Sequence, residues 1–327
     1  MTGRLSLAFE RGIVALPEGE VLVIGAVADS DLAALDKSRT RILWRYHDAH
    51  LALANAGWNS VSKIGGPAGS VVVFAPRARD AQRAYLRLAR EMTEGPIIVD
   101  GPKTHGIDSL YRELRDRADV SEAWSKSHGK VFTVSGGDFS DWPDVHPSRH
   151  PDGWWRAPGV FAADGIDKAS ALLAKELPRT LAGTVVDLGA GWGYLSRAIL
   201  ERDGVESLTL VENDKTALRA AQRNIDDDRA VFVCADARTW RPKTPVDHVV
   251  TNPPFHSGRA ADPDLGRAFI RAAAEMLKPK GALWLVANRH LPYETTLEDA
   301  FRNVQTLTPN PSFKLFHATS PKPRRKG

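Results

Sequence analysis

The chain has few of the features that mark secreted, membrane or metal-binding proteins. Its single cysteine, Cys234, excludes an internal disulfide, and its place in an apolar run predicts a core residue of a cytoplasmic protein. The longest apolar stretch near the start, residues 21–28, is too short to cross a bilayer, so no membrane association is expected. The ten histidines show no ligand-like spacing, so we expect no metal.

A strong net charge is also missing from the body of the chain. The formal net charge is +4, yet residues 1–150 carry 19 basic and 19 acidic side chains, so the excess lies in the second half. Four tail residues account for it on their own: Lys322, Arg324, Arg325 and Lys326. Such a tail either contacts RNA phosphates or is a solvated chain end.

The most informative run that is present, residues 251–256, reads Thr-Asn-Pro-Pro-Phe-His after an apolar strand pattern. Two prolines fix φ and remove two N–H groups, so the turn is rigid and holds its carbonyls outward. The Asn252 side-chain oxygen and the Pro253 carbonyl can accept the two hydrogens of a planar amine, and Phe255 can cover its ring. We predict a catalytic rim of Asn252, Pro253, Pro254 and Phe255 that prepares a nitrogen for alkylation. The alternative is a tight turn that only ends a strand.

A glycine loop lies sixty residues upstream, where residues 184–193 read TVVDLGAGWG between a strand pattern and a helix pattern. Its glycines allow sharp turns and close approach to a ligand, although their spacing differs from the dinucleotide fingerprint. Acids end the next two strand patterns. Glu212 can accept hydrogen bonds from two ribose hydroxyls, and Asp236 can face an adenine amino group.

Taken together, these motifs resemble the class I S-adenosylmethionine-dependent methyltransferases. Residues 158–173 and the run NRHLPY at 288–293 are similar to segments of the bacterial 16S ribosomal RNA guanine-N2 methyltransferases of the RsmC type. The resemblance spans residues 158–318. It implies transfer of methyl from S-adenosylmethionine to the exocyclic N2 of a guanine, with 16S ribosomal RNA or the small ribosomal subunit as partner.

The predicted cofactor contacts lie at strand ends and just before the glycine loop. Asp167 and Ser170 are predicted to close over the methionine end of the cofactor, and the alternative for Asp167 is that it caps the following helix. Asp187 either orients the loop or contacts the methionine amino group. Trp192 departs from the family pattern, which has a small residue there. The full predicted set is Asp167, Asp187, Gly189, Ala190, Gly191, Gly193, Glu212, Asn213, Asp236, Ala237 and Asn252.

Other substrates and roles fit the same residues. An Asn-Pro-Pro-aromatic rim is also similar to that of methyltransferases acting on a protein glutamine amide or on adenine N6. Phe255 in place of tyrosine, together with a duplicated first domain, favours RNA. A non-catalytic ribosome-assembly factor is the alternative from another class.

An internal repeat predicts two copies of one fold. Residues 85–92 match residues 269–276, and residues 130–135 match residues 314–319, at the same separation of 184. We expect an α/β protein with two tandem Rossmann-like methyltransferase domains, each a seven-stranded, mostly parallel sheet with one antiparallel strand. The predicted parts are a degenerate domain (1–140), a linker rich in proline and tryptophan (141–158) and a catalytic domain (159–327). We expect a monomer in which the two domains form an internal pseudo-dimer.

The first copy lacks the ligand-contact residues of the second. Only the first loop glycine, Gly25, is kept, and Tyr46 stands where Glu212 would be. We therefore predict that this copy binds no cofactor. Four arginines, at 79, 83, 87 and 90, share one helix face and either dock RNA or pair with nearby acids. The tryptophans of the linker either pack or stack on a substrate base.

Overall fold

The computed structural model describes residues 3–254, 256–257, 260–261, 263–307 and 310–323. Phe255 and the basic residues 324–326 therefore lie outside the described residues. The chain divides into two compact units, Met1–Ser148 with Ala157–Gly159, and Arg149–Arg156 with Val160–Gly327. The functional assignment of residues 1–140, 141–158 and 159–327 stays a prediction.

The first unit is a sheet of eight strands with helices packed on it. Strands β1 to β5 are parallel in the order β3-β2-β1-β4-β5, and β8 adds antiparallel to β5. The strands are β1 (Val21–Ile24), β2 (Thr40–Leu43), β3 (Asn59–Val61), β4 (Ser70–Phe74), β5 (Ile97–Pro102), β6 (Asp119–Val120), β7 (Trp124–Lys126) and β8 (Gly129–Ser135). The helices are α1 (Arg4–Glu10), α2 (His47–Asn55), α3 (Arg79–Met92) and α4 (Ile107–Arg115), with 3-10 turns at Lys37–Arg39 and Lys103–His105.

This sheet has eight strands, one more than the predicted seven. Both β6 and β7 pair antiparallel with β8, the first opposite Val134 and Ser135 and the second opposite residues 129–131. Three residues that are outside the two strands separate them. The two pieces therefore occupy the place of one interrupted strand, and the underlying order is the predicted one.

The second unit has the same sheet with seven strands in the order β13-β12-β11-β14-β17-β19-β18, in which only β19 runs antiparallel to the rest. Its strands are β11 (Gly183–Leu188), β12 (Val205–Glu212), β13 (Ala230–Cys234), β14 (Val246–Thr251), β17 (Leu277–Asn288), β18 (Phe301–Thr306) and β19 (Phe313–Pro321). Its helices are α5 (Lys168–Glu176), α6 (Tyr194–Leu200), α7 (Lys215–Asn224), α8 (Pro263–Met276) and α9 (Glu294–Ala300). Two short strand pairs complete the list: β9 (Ser148–Arg149) with β10 (Trp155–Arg156), and β15 (His256–Ser257) with β16 (Ala260–Ala261). The predicted fold class is confirmed.

Each sheet carries an apolar core on both faces, as expected of parallel strands covered by helices. All four residues of β1 are buried, and seven consecutive residues of β17, from 281 to 287, are buried as well. Cys234 lies in β13 and is half-buried, and burial raises the pKa of its thiol to about 11. At neutral pH this thiol is therefore protonated and poorly nucleophilic.

The two units repeat each other in detail. Helices α3 and α8 both have 14 residues and begin 184 positions apart. Strands β8 and β19 also begin 184 positions apart. In each unit the glycine after the first strand packs against an aromatic ring of that helix. A Cβ built on Gly25 would lie 2.9 Å from Tyr85 Cε2, and one on Gly189 would lie 3.1 Å from Phe269 Cε1. The repeat predicted from the sequence is thus present in three dimensions.

Side chains of the first unit occupy the end of the sheet near Gly25. Arg45 is buried, and its guanidinium donates to the Pro158 carbonyl at 3.1 Å and lies 3.5 Å from the Tyr85 hydroxyl. A Cβ on Gly159 would lie 2.7 Å from the Cβ of Ala81. These contacts support the view that the first copy holds no cofactor. That absence stays a prediction.

The four arginines of α3 all have partners within the first unit. Arg79 and Arg83 both bind Glu113, and Arg87 binds Glu91 and the Trp142 carbonyl. The Arg90 guanidinium donates to the carbonyls of Thr93, Gly95 and Gly136. These contacts favour pairing over RNA docking, although docking stays a prediction.

The linker tryptophans pack within the units that contain them. Trp142 is buried and stacks on Phe139, with ring centroids 4.7 Å apart. The Trp154 ring contacts Trp192 and Tyr194, and the Trp155 backbone is held by Asn224 through its N–H and its carbonyl. Packing is therefore the role that the structure supports for these residues.

No helix in the described part of the chain is long and apolar enough to span a membrane. Among the same described residues there is no group of three histidine, cysteine, aspartate or glutamate side chains placed to hold a metal ion.

Candidate active site

The glycine loop joins β11 to α6 at the carboxyl end of the parallel sheet. Gly189, Gly191 and Gly193 have φ of 81°, 56° and 93°, a region that residues with a side chain rarely adopt. A Cβ on Gly193 would also lie 2.9 Å from Ile225 Cδ1, so this glycine allows close helix packing. At Gly191 no atom lies within 4 Å of a built Cβ, so this part of the loop faces open space.

Glu212, the last residue of β12, ties the glycine loop to the neighbouring strand. The backbone N–H of Gly191 donates to its Oε2 at 2.7 Å, and the N–H of Asp214 donates to its Oε1 at 2.8 Å. Burial raises the pKa of the Glu212 carboxyl to about 7. Each carboxylate oxygen has capacity for a second hydrogen bond, so a pair of hydroxyl donors can still bind.

Asp187 lies behind the loop and is fully buried. The Ser196 hydroxyl donates to its Oδ2 at 2.6 Å, whereas its Oδ1 has no hydrogen-bond partner among the described residues. Burial raises the pKa of this carboxyl to about 7. A buried acceptor without a partner is costly, so a cationic or N–H donor at Oδ1 would be stabilised.

Asn252 follows β14 and is fixed by residues from the start of α5. Its Nδ2 donates to Asp167 Oδ2 and to Ser170 Oγ, both at 2.9 Å. An ionised carboxylate only accepts hydrogen bonds, so the amide nitrogen must face Asp167. The Asn252 oxygen therefore points away from Asp167 and is left to accept from a ligand.

Asp167 has one of the two roles considered for it, together with a contact to Asn252 that the sequence did not predict. It is the N-cap of α5, because its Oδ2 accepts from the Ser170 N–H at 2.8 Å, and the same oxygen accepts from Asn252. The predicted capping is thus present in the structure, whereas direct contact with the cofactor stays a prediction.

The base of the Asn-Pro-Pro turn is anchored to the strand that leads into the glycine loop. The buried Thr251 hydroxyl donates to the Leu188 carbonyl at 2.7 Å. Pro253 is buried and Pro254 is exposed. The structure thereby fixes Asn252 relative to the glycine loop, whereas the predicted catalytic Phe255 lies outside the described residues.

A pocket lies between the glycine loop, the start of α5 and Asn252. It brings together five of the predicted residues: Asp167, Gly189, Ala190, Gly191 and Asn252. Ser170, predicted with Asp167 to close over the methionine end of the cofactor, also lines it, together with residues that had no predicted site role: Phe161, Ala162, Trp192, Tyr194 and Leu195. Phe161 and Ala162 carried a usable signal, since both lie in the segment that resembles the RsmC-type enzymes.

The other six predicted cofactor residues, Asp187 and Glu212 among them, do not line this pocket. Gly193 is the N-cap of α6, and Ala237 is buried. Asn213 follows Glu212, and its carbonyl is 4.0 Å from the Cys234 sulfur. Asp236 is held by Arg238, which donates from Nε at 2.9 Å, from a guanidinium NH₂ at 2.6 Å and from its backbone N–H. An adenine amino group would have to share or displace these bonds, so the role of Asp236 stays a prediction.

Trp192, the residue that departs from the family pattern, has a structural role in this chain. Its buried indole donates from Nε1 to the Phe161 carbonyl at 3.0 Å. Its own carbonyl accepts from Asn224 Nδ2 at 2.8 Å. The larger side chain therefore links the glycine loop to the segment before α5.

The residues present fit an S-adenosylmethionine site. Asp187 offers an acceptor without a partner, Glu212 offers free lone pairs at a strand end, and Gly191 leaves open space beside the loop. The matching ligand groups are the methionine ammonium for Asp187 and the ribose hydroxyls for Glu212. These assignments to individual residues are predictions.

The buried carboxyl of Asp187 predicts a pH-dependent effect on stability. Its folded pKa of about 7 lies above the usual value of 3.8, so the free energy of unfolding falls as pH rises from about 4 to about 7. Asp187→Asn removes this titration. We expect the variant to gain thermal stability relative to the native chain at pH 8 and to gain much less at pH 5.

Thermal unfolding at the two pH values without cofactor checks this prediction. The matched control is Asp226→Asn, which removes the same charge from an exposed position. A stability difference between Asp187→Asn and the native chain that is equal at both pH values would show that Asp187 does not titrate in this window.

Comparison with known proteins places the chain in a family. Residues 154–317 match the methyltransferase small domain. The ribosomal RNA small subunit methyltransferase C of Hahella chejuensis is 28% identical over 295 residues, which cover 84% of this chain and 81% of that protein. The protein of the same name from Pseudomonas aeruginosa strain LESB58 is 28% identical over 329 residues, which cover 94% and 96%.

Among solved structures, the fold is similar to that of the T. thermophilus 16S rRNA N2 G1207 methyltransferase (RsmC) in complex with AdoMet and guanosine. The TM-score is 0.79 with 24% identity, over 94% of this chain and 90% of that one. The likeness includes both units. Because the family match spans half of its length, the chain belongs to the methyltransferase small domain family, as the resemblance to the RsmC-type enzymes predicted.

Proposed function

We propose that this chain transfers a methyl group from S-adenosylmethionine to the exocyclic N2 of a guanine in 16S ribosomal RNA. The observation that carries the proposal is the fixed amide of Asn252, whose nitrogen is held by Asp167 and Ser170. Its oxygen is left as an acceptor at a pocket beside the glycine loop. The names of the curated relatives and the guanosine bound to the T. thermophilus enzyme support this substrate.

The residues of the rim act by alignment. When bound, S-adenosylmethionine supplies a methyl group activated by its positive sulfonium, so no strong base is required. The Asn252 oxygen accepts one hydrogen of the guanine amine, and the Pro253 carbonyl is proposed to accept the other. These two bonds orient the nitrogen lone pair for in-line displacement, and such alignment accounts for a large part of the rate in reactions of this kind.

The substrate guanine has to be unpaired or turned out of its helix, because a paired N2 amine cannot enter a pocket. Turning a base out costs a few kcal/mol. The proposed partner is therefore a site in 16S RNA where the base is accessible, in free RNA or in the small subunit. We also propose that the chain acts as a monomer in the cytoplasm, with the first unit as a copy without cofactor.

Purified protein and radiolabelled S-adenosylmethionine test the proposal directly. Undermethylated small subunits, free 16S RNA, large subunits and a release factor are incubated separately, and the labelled product is digested and identified. We expect label on guanine N2 of the 16S RNA. Label on adenine N6 or on a glutamine amide would assign a different substrate. No label on any substrate, with cofactor binding intact, would favour a non-catalytic assembly factor.

A further inference from the structure

Phe161 is an exposed aromatic ring at the mouth of the pocket. Among the described residues it is the most exposed of the large hydrophobic side chains, at 57% of its surface, and it is the only aromatic in that set. It lines the same pocket as Asn252 and Gly191. Ligand pockets are lined mainly by apolar and aromatic side chains, so an exposed ring on the wall of this pocket is suited to contact a ligand.

The backbone around Phe161 is fixed by a hydrogen bond from Trp192 and by a strained turn. Its carbonyl accepts the Trp192 indole N–H at 3.0 Å, and Trp192 is itself buried in the glycine loop. The next residue, Ala162, has φ of 53°, which is left-handed for a residue with a side chain. Its carbonyl accepts from the Gly165 N–H at 3.3 Å, which closes the turn. Residues held in such strained conformations cluster at active sites and ligand clamps, and Ala162 is the one of the four non-glycine residues with positive φ in the described part of the chain that lines the pocket.

We propose that Phe161 is a wall of the substrate site on which the target guanine stacks while its amine meets the Asn252 oxygen. A flat ring suits a purine, because every base has an aromatic face, and stacking of this kind tolerates the surrounding sequence. The Phe161 side chain has no hydrogen-bonding group, so it binds the face of the base, and Asn252 orients the amine. This inference rests on the proposed function, since it requires a base as substrate.

The test uses the full chain with the RNA substrate and measures kcat, KM for the RNA and Kd for S-adenosylmethionine. Phe161→Leu keeps an apolar side chain and removes the flat ring. We expect KM for the RNA to rise about 5- to 150-fold, the range that loss of one stacked base produces. The Kd for S-adenosylmethionine should stay unchanged. Phe161→Tyr and Phe161→Trp should restore KM to near the native value.

Ile166→Ala is the matched control, because Ile166 is an exposed apolar residue of the same segment that does not line the pocket. It should leave KM unchanged. A Phe161→Leu enzyme with native KM would overturn the inference, and so would a rise in the Kd for S-adenosylmethionine, which would make Phe161 a cofactor contact. If the native enzyme labels guanine N2, the proposed function stands whatever Phe161→Leu shows. If the native enzyme labels another group, the proposed function fails first.

Discussion

Asn252→Ala is expected to slow methyl transfer by about 100- to 1000-fold while the chain still binds S-adenosylmethionine. The substitution removes the oxygen that accepts a hydrogen of the substrate amine, and with it the alignment of the nitrogen lone pair. Loss of one well-placed polar group at a reacting centre typically lowers kcat by about 100- to 1000-fold. The measurement is single-turnover transfer from labelled cofactor to the RNA, with the Kd for S-adenosylmethionine determined by calorimetry.

Two further variants separate the chemical role of Asn252 from a structural one. Asn252→Asp keeps the shape but replaces the Nδ2 donor with an acceptor, so it would repel the Asp167 carboxylate that now accepts from this nitrogen at 2.9 Å. It should therefore also transfer methyl slowly. The control variant Asn303→Ala removes an exposed amide side chain from strand β18 and should keep full activity. If Asn252→Ala weakens cofactor binding as much as it slows transfer, Asn252 is structural.

The features that the sequence predicts well are those set by local chemistry. The three loop glycines have positive φ, because only glycine adopts this backbone without strain. Glu212 lies at the end of a parallel strand beside the glycine loop, as the alternation of strand and helix patterns predicted. The duplicated fold was readable because both copies keep the same apolar spacing, even where the ligand residues differ.

The features that the sequence could not show depend on side chains distant in the chain. Asp167 and Asn252 are 85 positions apart, and only the folded chain shows that one carboxylate both caps α5 and orients the amide. Glu113 pairs with Arg79 and Arg83 from another helix, so a helical spacing alone could not tell RNA docking from ion pairing. The bond from Trp192 to Phe161 could not be predicted either, because its partners are 31 positions apart in the chain.

Glu212→Gln is expected to weaken binding of S-adenosylmethionine by about 10- to 150-fold, the range for losing a hydrogen bond to a charged group. The native carboxylate accepts the N–H of Gly191 at 2.7 Å and of Asp214 at 2.8 Å, and we predict that its remaining lone pairs accept from the ribose hydroxyls. A glutamine NH₂ would place a donor against one of these N–H groups, so the glycine loop would lose a tether as well. Glu206→Gln is the matched control, since Glu206 is exposed on the same strand.

The pH dependence of cofactor binding gives the same residue a second, independent signature. The pKa of Glu212 is raised to about 7, so below pH 7 the unliganded carboxyl carries a proton that it must lose before it can accept from both ribose hydroxyls as a carboxylate. Glu212 alone should therefore raise the Kd by up to about tenfold for each pH unit below 7, and its contribution should level off above pH 7. Asp187, whose pKa is also about 7, adds a dependence of the same sign, so the slope should be shallower in Glu212→Gln but still present. Calorimetric titrations from about pH 5.5 to about pH 8.5, which covers the titration of both groups, measure the slopes of the native chain and of Glu212→Gln. A native Kd that does not change across this range would show that Glu212 binds no ribose hydroxyl as a carboxylate.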